Sequence, residues 1–120
     1  MRVQPLAVHH VSLTVDDVDA SQRFYVEVLG LTARDDRPDF GFGGAWLDAG
    51  GRGQQLHLIE GTPPDDRGQH FALHVADIGA AVAELRGRGV GVSDPVPVGR
   101  GLQSFLKDPA GNTVELIQPG

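Results

Sequence analysis

Along HHVSLTV, residues 9–15, apolar Val11, Leu13 and Val15 alternate with polar His10, Ser12 and Thr14. A period of two predicts a half-buried β-strand with its polar side chains on one face. The alternation returns in QHFALHV, residues 69–75, where Phe71, Leu73 and Val75 oppose His70, Ala72 and His74. Each strand runs into a helix signal. Asp17 and Asp77 are suited to N-capping, and apolar positions follow at Val18, Phe24, Tyr25, Val28 and Leu29, or at Ile78, Ala81, Val82 and Leu85. Gly30 ends the first predicted helix, and Gly87 and Gly89 end the second.

The two halves then close on matching strands, QQLHLIE at 54–60 and NTVELIQ at 112–118. His10 therefore falls on His70, and His57 falls on Glu115, with separations of 60 and 58 residues. Two such units imply a pseudo-twofold relation, which places equivalent positions around one point. RDDRPDFGFGG (34–44) reads as a loop entering a strand near Ala45 to Asp48. GTPPDDRG (61–68) has the composition of an exposed linker, and DPAGN (108–112) that of a hairpin turn. At 120 residues these elements fill one domain, 1–120, built of module one at about 7–60 and module two at about 68–118.

Composition narrows the chemistry. The absence of cysteine excludes disulfides, thiolate zinc sites, iron–sulfur clusters and cysteine nucleophiles. A formal charge of −6, with the ten basic residues scattered, argues against a nucleic-acid partner. No stretch approaches the roughly 18 apolar residues of a membrane span, and the N-terminus lacks a basic leader followed by a long apolar run, so a cytoplasmic location is expected. The 17 glycines and eight prolines fall between periodic segments, as in a turn-rich sheet protein.

His10, His57, His70 and Glu115 are the candidate metal ligands. A nitrogen and oxygen donor set without thiolate suits one divalent ion, whether nickel, cobalt, zinc, iron or manganese, and does not choose among them. His9 is the alternative to His10 if the strand slips by one residue, although the apolar parity of Val11 favours His10. His74 shares a face with His70 and is a candidate substrate contact or proton shuttle. Ser12 and Thr14 on the His10 face join Phe40, Phe42, Trp46 and Phe105 as candidate pocket residues. Asp16, Asp17 and Asp19 are explained by capping and the helix dipole.

The segments HHVSLTVDDVDASQRFYVEVLGL and DPAGNTVELIQ, with QHFALHV between them, resemble the vicinal oxygen chelate superfamily of glyoxalases, bleomycin resistance proteins and extradiol dioxygenases. The resemblance implies an α+β fold in which two βαβββ modules form a curved mixed sheet, a half-barrel with helices on its convex side. It also implies that His10, His70 and Glu115 are metal ligands, and that the functional unit is a homodimer. Histidine at position 57 departs from the glutamate of glyoxalase I and the glutamine of the related epimerase.

The activity it suggests first is a divalent-metal-dependent, glyoxalase-like lyase or isomerase acting on a small oxygenated substrate through a metal-bound enediolate. Glu115 or His57 would be the catalytic base, and Arg37, Arg100 and Lys107 the cations available to a substrate carboxylate. Two alternatives are a ring-cleaving dioxygenase using the two-histidine, one-carboxylate set of His10, His70 and Glu115, and an antibiotic-binding resistance protein without catalysis.

Overall fold

A computed structural model describes residues 1–120, which divide into two compact units, Met1–Thr62 and Pro63–Gly120. The boundary lies inside the Pro- and Asp-rich segment 61–68. Each unit follows the order strand, helix, three strands.

In the first unit, β1 (His10–Val15) leads into α1 (Val18–Arg23), and β2 (Thr32–Ala33), β3 (Gly44–Asp48) and β4 (Gln55–Glu60) follow. The sheet order is β1-β4-β3-β2, with β1 parallel to β4 and the remaining pairs antiparallel. In the second unit, β5 (His70–His74) leads into α2 (Ile78–Gly87), then β6 (Val96–Val98), β7 (Gly101–Lys107) and β8 (Thr113–Gln118). Its order, β5-β8-β7-β6, repeats the same mixed pattern. The predicted α+β class with two βαβββ modules is thus the observed one, each module carrying its own unclosed mixed sheet.

Alternation decides which sheet face meets the helix. In unit one, Ala45, Leu47, Leu56 and Leu58 are buried together with Val15 and with Tyr25 from the helical segment. In unit two, Leu106, Val114 and Leu116 are buried together with Ile78, Val82 and Leu85 of α2. Burying such a side chain is worth roughly 1.5–3 kcal/mol, so these residues carry each unit's stability. Trp46, His57, Phe105 and Glu115, one position out of phase, face the other side of their sheets.

Both helix starts are capped as expected, with Asp17 Oδ1 accepting from Ala20 N and Asp77 Oδ1 from Ala80 N, each at 3.0 Å. The first helix differs from its expected single run to Gly30. From Phe24 to Val28 it widens into a π-helical turn, with Leu29 N donating to Phe24 O at 3.1 Å. Gly30 then reverses the chain at φ +78°. No helix is long and apolar enough to cross a membrane.

Candidate functional site

Register turns the sequence repeat into matched positions. Ser12 pairs with His57 in unit one, and Ala72 pairs with Glu115 in unit two. His57 and Glu115 therefore occupy the same place in their sheets, as do His10 and His70. The third strand extends the match, because Trp46 pairs with His57 and Phe105 pairs with Glu115. Each unit thus presents a histidine, a second ligand-type side chain and an aromatic ring across three neighbouring strands.

In unit one these groups form a stack. The His10 and His57 rings lie 4.0 Å apart at 15°, and Trp46 lies on the other side of His57 at 4.5 Å and 11°. His57 is only 8% exposed, and its Nε2 donates to Gln55 Oε1 at 2.8 Å. Because an amide oxygen only accepts, that bond leaves the His57 Nδ1 lone pair available. Burial, followed by repulsion from His10 and His9, pushes the His57 pKa below the ordinary histidine value, so the ring is neutral at pH 7. His9 Nδ1 lies 2.9 Å from His10 Nδ1, where one donates and the other accepts.

In unit two, His70 Nδ1 donates to the Gly68 carbonyl at 2.8 Å and Nε2 lies 2.9 Å from Glu115 Oε1. Phe105 meets the His70 ring edge-on at 5.5 Å. The Gly68 bond, followed by that to Glu115, raises the His70 pKa. With both partners accepting, the ring in this arrangement carries two protons, and the Nε2 proton occupies the place a cation would take between His70 and Glu115.

The Gly68 carbonyl is itself held in place. Asp66 Oδ1 accepts from Gly68 N at 3.0 Å, and Lys107 Nζ donates to Asp66 Oδ2 and, at 2.6 Å, to Thr113 Oγ1. Gln55, Gly68 and Asp66 are the functional neighbours that pattern reading missed. Their role depends on hydrogen bonds between residues two apart along the chain, which residue type alone does not reveal, and the only hint in sequence is that each lies two or four residues from a ligand-type histidine.

Among the other candidates, Ser12 is exposed on β1, with Thr14 half-buried on the same strand. Phe42 is 51% exposed and stacks on Phe40 at 5.6 Å, and Phe40 lies 6.2 Å from Trp46. His74 is exposed at the end of β5, and Arg100 is exposed at the β6–β7 turn. Lys107 is engaged by Asp66, and Arg37 donates to the Phe42 carbonyl at 2.9 Å. The structure brings the four ligand candidates together as two pairs, and no group of three or more histidine or acidic side chains is close enough to hold an ion.

The profile of the Glyoxalase/Bleomycin resistance protein/Dioxygenase superfamily matches residues 7–116, nearly the whole chain. The chain belongs to that superfamily. Within this glyoxalase superfamily it is similar to lactoylglutathione lyase GLX1 of Arabidopsis thaliana, at 35% identity over 92% of this chain and 44% of that protein. It therefore spans less than half the length of that relative. The protein named "Probable lactoylglutathione lyase" of Synechocystis is 34% identical, with 91% of this chain and 92% of that one aligned. Among solved structures, TnmS3, an antibiotic binding protein from Streptomyces sp. CB03234, superposes with a TM-score of 0.85 at 29% identity, covering 99% of this chain and all of that one.

Proposed function

We propose that this superfamily member is a divalent-metal-dependent lyase or isomerase of the glyoxalase type, acting on a small oxygenated substrate. The observation that carries the reading is the matched register of His10 with His70 and of His57 with Glu115. The donor set fits the metal: three imidazoles and a carboxylate, no thiolate, with the Nε2 proton of His70 where a cation would sit. His10, His57, His70 and Glu115 are the residues that would hold the ion.

When bound, a divalent ion polarises a substrate carbonyl and so acidifies the neighbouring C–H. Glu115 is the group to receive that proton at a carboxylate oxygen and deliver it to the adjacent carbon, since it is the one carboxylate in the donor set. His57, neutral and with its Nδ1 lone pair free, is the alternative acceptor where His10, His70 and Glu115 alone hold the ion. Trp46 and Phe105, on the same faces, keep water from the reacting carbon.

The relatives named lactoylglutathione lyase support a thiol adduct of a 2-oxoaldehyde as the substrate to try first. The functional unit in this reading is a homodimer, and the exposed Val3, Leu6 and Val8 of the N-terminal stretch are apolar surface that a second copy would cover. The partner is a small molecule, with nucleic acid disfavoured by charge.

The test is isomerisation of the glutathione hemithioacetal of methylglyoxal by protein reloaded with nickel, cobalt, zinc, manganese or ferrous iron in turn. Turnover that Glu115→Gln lowers by at least about a hundredfold supports the reading. Turnover by none of the five loaded forms contradicts this substrate. A second reading, a binding protein for an antibiotic, is favoured by the similarity to TnmS3. It predicts tight ligand capture with no turnover in any metal form.

A further inference from the structure

We propose that Asp66 and Lys107 are positioning residues for His70, clasping the turn before β5 so that its Gly68 carbonyl holds the imidazole with Nε2 turned toward Glu115. This rests on the reading that His70 and Glu115 hold a divalent ion.

The turn is closed by bonds among five consecutive residues. Gly68 N donates to Asp66 Oδ1 at 3.0 Å, Arg67 N donates to Gln69 Oε1 at 2.9 Å, and Gln69 Nε2 donates back to the Asp65 carbonyl at 2.8 Å. Gly68 sits at φ +96°, in the left-handed region that side chains disfavour, and from there its carbonyl accepts from His70 Nδ1 at 2.8 Å.

The turn is also tied to the sheet. Lys107 and His70 are both register partners of Thr113, so the three residues lie in one row across β7, β8 and β5. Phe105 and Glu115 lie two residues along their strands, on the same face. Lys107 Nζ donates to Thr113 Oγ1 at 2.6 Å and to Asp66 Oδ2, 41 residues away in sequence. One carboxylate thus joins the turn to the row, with Oδ1 on Gly68 and Oδ2 on Lys107.

Neither stability nor the internal repeat accounts for the clasp. The Asp66 and Lys107 side chains are 51% and 50% exposed, and an ion pair so open to water adds little to folding. In the first unit Asp48, the register partner of Gln55, takes the place of Lys107, and His10 Nδ1 meets the His9 ring instead of a backbone carbonyl. What the clasp reaches is His70, whose side chain is 34% exposed and so has room to turn. A fixed acceptor at Nδ1 removes that freedom, and a ligand already oriented binds its ion more tightly.

The experiment compares wild type with Asp66→Ala, Lys107→Met and Lys107→Arg. Nickel affinity is measured by calorimetry and stability by the urea midpoint. In the metal-free protein at about pH 6, ring 15N–1H NMR follows the His70 Nδ1 proton, which is visible only while its hydrogen bond shields it from exchange with water.

The expected result is loss of the His70 Nδ1 proton signal and at least about fivefold weaker nickel binding in Asp66→Ala and in Lys107→Met, with an unchanged urea midpoint. Lys107→Arg should keep both the signal and the affinity. A wild type without the signal, a signal kept in both truncations, or a signal lost with nickel affinity intact overturns the proposal. So does a lowered urea midpoint in both truncations, which would make the clasp a brace for the fold. If the metal reading alone is wrong, the wild type fails to bind nickel while the His70 signal is still lost in Asp66→Ala.

Discussion

Ser21 Oγ and Ser104 Oγ are buried with no hydrogen-bond partner, at residues 1% and 0% exposed. An unsatisfied buried hydroxyl bears its desolvation cost with nothing in return, so removing it is favourable where the cavity left is small. Ser104→Ala and Ser21→Ala should each raise the unfolding free energy by about 1 kcal/mol in urea titrations. A loss of more than about 1 kcal/mol would mean that the hydroxyl has an unseen partner. Residue-scale chemistry also fixes the pH response. Metal uptake needs neutral imidazoles. The His70 pKa is raised above the ordinary 6.5, so His70 takes up its proton at a higher pH than His57 does. His57, whose pKa is lowered, stays neutral further into acid. Nickel affinity measured by calorimetry should therefore begin to fall above pH 6.5, and one that stayed flat to about pH 5.5 would remove His70 from the ligand set. In the metal-free protein the raised His70 pKa has the opposite consequence. Its contribution to stability is fully present below 6.5 and is lost as pH rises through the folded-state value.

Strands and helix starts are legible in the sequence because their signals are local. A period of two marks β1, β4, β5 and β8, and Asp17 and Asp77 mark the two N-caps where the structure has them. Asp77→Ala should cost about 1 kcal/mol, read from the urea midpoint with an unchanged slope. The hairpin turn at 108–112 is legible from Pro109 and Gly111, but its organiser is not. Asp108, only 4% exposed, accepts through Oδ1 from Ala110 N at 2.9 Å and from Asn112 N at 2.8 Å, and through Oδ2 from Asn112 Nδ2 at 3.1 Å. Asp108→Ala leaves those donors unmatched and should destabilise the protein by about 2–3 kcal/mol. A change within about 0.5 kcal/mol would show that water replaces the carboxylate freely. The π-helical turn at Phe24–Val28 is not legible, since the apolar spacing there fits an α-helix as well. The strands Thr32–Ala33 and Val96–Val98 are two and three residues long, too short to establish a period.

The internal repeat makes the molecule readable as a whole. Aligning two segments in sequence places His57 on Glu115, and the strand registers put them at equivalent points of two sheets. The equivalence of Trp46 and Phe105 escapes the alignment, because the separations from β3 to β4 and from β7 to β8 differ by one residue. Membership in the superfamily follows from the whole chain, whereas reaction type depends on a few side chains and on what they hold. The central claim is that those side chains hold a metal. The most direct measurement is elemental analysis of protein purified without chelator and dialysed against metal-free buffer, for wild type, His10→Ala, His70→Ala and Glu115→Ala. The account predicts close to one divalent ion per chain in the wild type and a fall of at least tenfold in each variant. Wild-type protein that takes up no metal even after incubation with nickel, cobalt, zinc, manganese and ferrous iron would contradict it.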